Sequence, residues 1–120
     1  MAGILSYGRK EAAALPLSEA TVEAVIAKAR RVCLTQLAAF AALVGGLVWG
    51  AVQADGLVVW LSAGLATLAA WGLWGALFAT LNHFIASIPL RRNAAAEIAR
   101  ETDPKKFWWT HREVFPLAWD

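Results

Sequence analysis

The chain lacks most of the chemistry that small enzymes use. It has a single cysteine, Cys33, so no internal disulfide can close and no cysteine cluster exists to hold zinc or an iron–sulfur centre. It has no glycine-rich phosphate loop, no HExxH and no serine or cysteine in a nucleophile motif, which removes the common short signatures of nucleotide, metal and acyl chemistry. Charged residues make up only 17% of the chain, against about a quarter in ordinary soluble domains. Between residues 32 and 90 the sole charged side chain is Asp55. Proton and ion pathways carry ionisable groups at membrane depth, so this shortage argues against a self-contained pump or transporter. The first 31 residues hold Arg9, Lys10, Lys28, Arg30 and Arg31 without an apolar core, and no cleavable signal peptide is expected there.

In place of charge there is apolar length. The 120 residues are 59% hydrophobic, and the excess is concentrated in two runs, 32–52 and 57 to about 88, separated by Gln53-Ala54-Asp55-Gly56. About 20 apolar residues cross the hydrocarbon of a bilayer as a helix. The expected fold is therefore all-α: an integral membrane, two-helix transmembrane hairpin with short cytoplasmic helices at both ends. Residues 1–31 form an N-terminal arm and amphipathic helix. Residues 32–90 form the hairpin, with spans at about 32–52 and 57–80 and the second helix extending toward 88. Residues 91–120 form an aromatic-rich C-terminal segment. All eleven Lys and Arg residues flank the hairpin, five before it and six after it. The positive-inside rule then predicts a multi-pass protein of the inner (cytoplasmic) membrane with both termini cytoplasmic and the turn outside. A net charge of +2 is no nucleic-acid footprint, and no nucleic-acid partner is expected.

Local signals refine this outline. Gly3, Gly8 and Pro16 predict an extended arm over 1–17. Ser18 is a helix N-cap, with Glu19 and Glu23 near the positive helix end. Val22, Val25, Ile26 and Ala29 repeat at helical spacing, in a segment that either runs into the first span or lies on the membrane surface. Gly46 and Gly50 make a G-x-x-x-G pair that thins one side of the first span. That side is expected to receive the second helix of the same hairpin, with another subunit as the alternative. Trp49 and Trp60 flank the turn as an aromatic belt. Trp71, Trp74 and Phe78 share one face, read as an inner belt and packing surface, or else as a platform for a quinone, pigment or lipid. Pro89 is expected to bend or end the second helix, and Asp103-Pro104 to start another.

His83 is the one candidate cofactor ligand, for a pigment or a haem; otherwise, at the interface, it bonds to a neighbouring subunit or to headgroups. Ala79-x-x-x-His83 resembles the Ala-x-x-x-His of bacterial light-harvesting polypeptides, and that resemblance implies pigment ligation by His83. It covers five residues, and those polypeptides have one span. His111 lies in a separate segment and does not complete a haem pair with His83. No cofactor is expected for the chain as a whole. Phe107, Trp108, Trp109, Phe115 and Trp119 crowd the C-terminal segment and are expected to dock onto a partner. With Gly46, Gly50, Trp71 and Trp74 they are the candidate interaction residues, and the expected partners are larger membrane-complex subunits and membrane lipids.

Two spans followed by Asp103-Pro104-Lys105-Lys106-Phe107 are similar to the small hairpin inner-membrane subunit of type IV secretion systems, which implies a structural role in a secretion apparatus. The reading carried forward is a non-enzymatic accessory subunit of a multisubunit inner-membrane complex, with respiratory or photosynthetic electron transfer as the expected host. The alternatives are the secretion component and a homo-oligomeric pore or membrane effector. A pore needs a polar stripe, and Thr35, Gln36, Ser62, Thr67, Thr80 and Asn82 form no continuous line.

Overall fold

The computed structural model describes residues 9–116. They form five helices and a turn: α1 (Arg9–Ala13), α2 (Glu19–Gln53), α3 (Leu57–Arg92), α4 (Ala94–Arg100), α5 (Pro104–Thr110) and a 3₁₀ turn (Arg112–Val114). There is no strand among the described residues. Helices α2 and α3, of 35 and 36 residues, each run about 52–54 Å at 1.5 Å per residue. They lie side by side and set the longest dimension of the 61 × 24 × 18 Å molecule.

Ser18 starts α2 in extended backbone, and its hydroxyl accepts the Thr21 amide at 3.2 Å. The helix then continues without a break through the amphipathic segment into the apolar run. The turn closes on Gly56, whose φ of +60° is a left-handed conformation that a side chain disfavours. Both long helices are apolar enough to cross a membrane. Only 11% and 6% of their most apolar stretches are buried, whereas the core helix of a soluble domain is mostly covered.

Burial divides the molecule into two parts. Val22, Val25, Ile26, Ala29, Val32 and Cys33 of α2 are buried, and no residue is fully buried from 34 to 53. On α3, burial begins at Ala69 and becomes dense from Ala76 to Leu90. The turn end of the hairpin thus projects from a foot made by α1, the lower turns of α2 and α3, α4, α5 and the 3₁₀ turn. The Val22, Val25, Ile26 and Ala29 stripe faces into this foot as its spacing predicts. There it meets Ala12, Leu90, Ala94, Phe107, Trp108, Val114 and Phe115. Each fully buried large apolar side chain contributes about 1.5–3 kcal/mol, so this cluster fixes the ends of two helices that otherwise touch along a single seam.

Three sequence expectations change in the structure. Residues 9–13 are helical rather than extended: Arg-Lys-Glu-Ala-Ala are good helix formers, and Ala12 is fully enclosed by the foot. Residues 1–8 lie outside the described residues. Pro89 does not end α3, which continues to Arg92. Leu90 is buried in the foot and the Asn93 amide bonds the Pro89 carbonyl at 3.0 Å, so packing holds the last turn past the proline. The side bearing Gly46 and Gly50 does not receive α3: a Cβ at either meets nothing within 4 Å. The close approach is at Gly72, where a Cβ would run into the ring of Phe40. A seam of Ala69, Gly72, Ala76, Thr80 and His83 at three- and four-residue steps marks the packed side of α3. That small-residue periodicity is the sequence signal that selects Gly72.

Candidate functional site

The foot holds nearly all the polar chemistry of the chain. Asp103 caps α5, accepting the Lys105 amide at 3.2 Å, with Pro104 at the first helical position. The cap turns Phe107 and Trp108 inward. Their rings meet edge to face at 4.9 Å, and Phe115 returns from the 3₁₀ turn to contact Trp108 at 5.5 Å. Such edge contacts add about 0.5–1.5 kcal/mol beyond burial. Phe107, Trp108 and Phe115 are therefore not free docking anchors; they are the core of the foot. The reason is geometric. The segment is long enough to fold back onto the α2 stripe, so its apolar surface is satisfied within the chain. Trp109 is the exception, 61% exposed. Trp119 lies outside the described residues.

Two cations lie over Trp109. The Arg9 guanidinium lies 4.8 Å from its ring centroid and that of Arg112 lies 5.2 Å away. Beside it, α1 and α5 border a cavity of about 730 Å³. Its rim carries Arg9, Lys10, Lys105 and Lys106, and its floor is Ala13, Ala14, Trp108 and Trp109. Among the described residues, no acidic side chain lines it. A concave apolar floor with a basic rim and an exposed tryptophan is suited to an acidic, partly apolar binding partner.

His83 is fully buried where α3 meets the foot. Its Nδ1 lies 2.6 Å from the Val114 carbonyl. A carbonyl only accepts, so Nδ1 carries a proton and donates it, and in the neutral ring Nε2 is the lone-pair nitrogen. Nε2 is enclosed with no partner among the described residues, as are Trp108 Nε1 and Arg30 Nε. The expected interfacial contact to a neighbour or a headgroup is thus replaced by a contact within the chain: the 3₁₀ turn covers this face of α3. Cys33 is likewise buried, and its carbonyl faces the Thr80 hydroxyl at 3.4 Å. Among the described residues, no group of three His, Cys, Asp or Glu side chains is placed to hold a metal ion.

Polar contacts also tie the long helices together along the foot. Arg91 of α3 grips Glu23 of α2, its Nε donating at 2.7 Å and its second nitrogen pairing with the other carboxylate oxygen. Both partners are well exposed, so the pair contributes about 0.2–1 kcal/mol. Arg30 donates to the Ser87 hydroxyl at 3.2 Å and stacks over Phe84 at 4.6 Å. Lower down, His111 Nε2 lies 3.4 Å from a Glu97 oxygen, joining α5 to α4. Burial pushes the His111 pKa below its usual value and outweighs the opposing attraction of Glu97.

The candidate residues on the hairpin itself remain outward. Trp71, Trp74 and Phe78 are exposed, Trp71 by 81%, and the Trp74 and Phe78 rings touch at 5.9 Å. Gly46 and Gly50 open onto empty space. The structure thus joins Trp108, Phe107 and Phe115 with His83 inside one foot, leaves Trp109 exposed on the surface of that foot, and keeps Trp71, Trp74 and the glycine pair apart from it. The basic pocket was not read from sequence, because Arg9-Lys10 and Lys105-Lys106 are about 95 residues apart; each doublet alone looks like a solvated flank. No family model, curated protein or solved structure matches this chain.

Proposed function

We propose that the chain is a membrane hairpin standing on a cytoplasmic foot, and that it serves as a non-catalytic accessory subunit of a multisubunit inner-membrane complex. One observation carries the membrane part. Residues 34–53, the part of α2 above its last buried position, measure about 30 Å, the thickness of a bilayer's hydrocarbon core. Their partner stretch on α3 is also apolar and, apart from the buried Ala69, Ala76 and Ala79, open. Threonine hydroxyls of α3 bond back to their own helix, Thr67 to Ala63 at 2.9 Å and Thr80 to Ala76 at 2.7 Å, as suits a medium without water. Every basic residue flanks the hairpin, which supports a foot on the cytoplasmic side.

The docking part rests on the pocket between α1 and α5. The complex is held through Trp109 and the basic rim, which take an acidic surface of a larger subunit. An electron-transfer complex as host belongs to this proposal and is tested by what co-purifies. The Asp103-Pro104 pair is accounted for by helix capping, so nothing in the geometry favours the secretion-apparatus alternative. The test uses tagged chain extracted from its native membrane in mild detergent and run on native gels. Wild type is expected in a large assembly, and the Trp109→Ala, Lys105→Glu, Lys106→Glu variant is expected to run alone with its helix content intact. A wild-type chain that runs alone, or turnover by the pure chain, would refute the accessory role.

A further inference from the structure

Where α2 and α3 emerge from the foot, a second cavity of about 350 Å³ opens on the side of the hairpin. It is lined by Arg30, Arg91 and Arg92, with Phe84 and Ile88 as its apolar wall. Three arginines line it, and Arg91 is engaged by Glu23. Among the described residues Arg92 has no ion-pair partner, and Arg30 is held by Ser87 and Phe84 rather than by an acid. The stacking on Phe84 and the bond to Ser87 fix the Arg30 side chain against the helix pair.

The cavity lies at a defined height on the hairpin. Arg30 is one turn below residue 34, and Phe84 a little more than one turn past residue 79. If 34–53 and 57–79 occupy the hydrocarbon, both sit about 6–8 Å below its edge, which is the headgroup layer. Arg91 and Arg92 lie farther from the hydrocarbon, about 18–20 Å past residue 79, and line the foot side of the same opening. Ile88, half exposed, faces outward beside them.

We infer that this cavity is a site for the phosphodiester headgroup of an anionic glycerophospholipid, drawn in by its arginines, with the acyl chains running from it toward the hydrocarbon. A basic recess between helices at the cytoplasmic edge is suited to such headgroups, and guanidinium recognises phosphate by paired hydrogen bonds. The inference rests on the hairpin crossing the membrane as proposed above.

The test uses full-length protein in neutral detergent, offered an equimolar mixture of dioleoyl phosphatidylglycerol and dioleoyl phosphatidylcholine, with retained lipid counted by native mass spectrometry. Phosphatidylglycerol is expected to be retained preferentially. Arg30→Gln and Arg92→Gln are each expected to lower that preference about fivefold, since a basic side chain near the surface is worth about that factor toward anionic lipid. Lys105→Gln with Lys106→Gln, which removes charge from the foot, should leave it unchanged. Arg92 is exposed, so its variant is not expected to disturb folding, and circular dichroism checks this. Equal retention of both lipids, or an unchanged preference in Arg92→Gln, overturns the site. So does displacement of the lipid by excess inorganic phosphate, which would make the ligand free phosphate. Carbonate extraction of native membranes separates the two ideas. A chain that resists extraction but shows no preference loses the site and keeps the hairpin; a chain that is released loses both.

Discussion

A methyl group at Gly72 would strike the ring of Phe40, whereas one at Gly46 meets open space. The two glycines are equally plausible from spacing, because a small-residue line tells which side of a helix is thin and not what lies against it. Gly72→Ala is therefore expected to destabilise the hairpin by about 1–3 kcal/mol, the usual range for overpacking, as measured by SDS-driven unfolding in mixed micelles. Combining it with Phe40→Ala should recover part of the loss. Gly46→Leu should leave the isolated hairpin unchanged; if it nevertheless breaks up a larger assembly, that side faces another chain. His83 follows the same pattern. Its place beside the apolar run was legible, but its partner was not, since the Val114 carbonyl is brought to it by a fold-back over 31 residues. His83→Ala leaves that carbonyl without its donor and opens a void, at a cost of about 1–3 kcal/mol for the buried group. Limited trypsin digestion should then cut sooner at Arg112 than in wild type, and equal rates would mean that the 3₁₀ turn is held by its aromatics alone.

At the scale of elements, the helices were largely legible and their docking was not. Ser18, the stripe from Val22 to Ala29, the apolar runs and the Asp103-Pro104 restart are local signals, and each marks an element seen in the structure. Pro89 misleads because its local preference is overridden by burial of Leu90 one residue later. The five C-terminal aromatics advertise that apolar surface must be covered; nothing local says that the chain covers most of it itself. The junction of α4 and α5 adds a pH dependence through His111. Its pKa in the fold is depressed by burial, so the folded foot favours the neutral ring. The stabilisation is complete above the unfolded value of about 6.5 and is lost as pH falls through the folded one. The near-ultraviolet circular dichroism of the packed tryptophan and phenylalanines is expected to weaken on acidification below about pH 6.5, and His111→Gln should flatten that response. A signal that strengthens on acidification would mean that Glu97 outweighs burial.

At the scale of the whole molecule, the division between an open apolar hairpin and a closed foot organises everything else. The foot buries its aromatics, holds the basic pocket and presents Trp109; the hairpin has no comparable core and needs a different medium to cover it. We propose the bilayer as that medium, with the turn on one side and the foot on the other. Impermeant maleimide labelling of intact cells and of lysed cells tests this most directly, using Asp55→Cys and Glu101→Cys, each in a Cys33→Ala background. Both sites are at or near the protein surface. The turn cysteine is expected to label in intact cells and the foot cysteine only after lysis, with both proteins remaining in the carbonate-washed membrane. Labelling of the foot cysteine in intact cells, or recovery of the chain in the soluble fraction, would contradict a bilayer-spanning hairpin with a cytoplasmic foot.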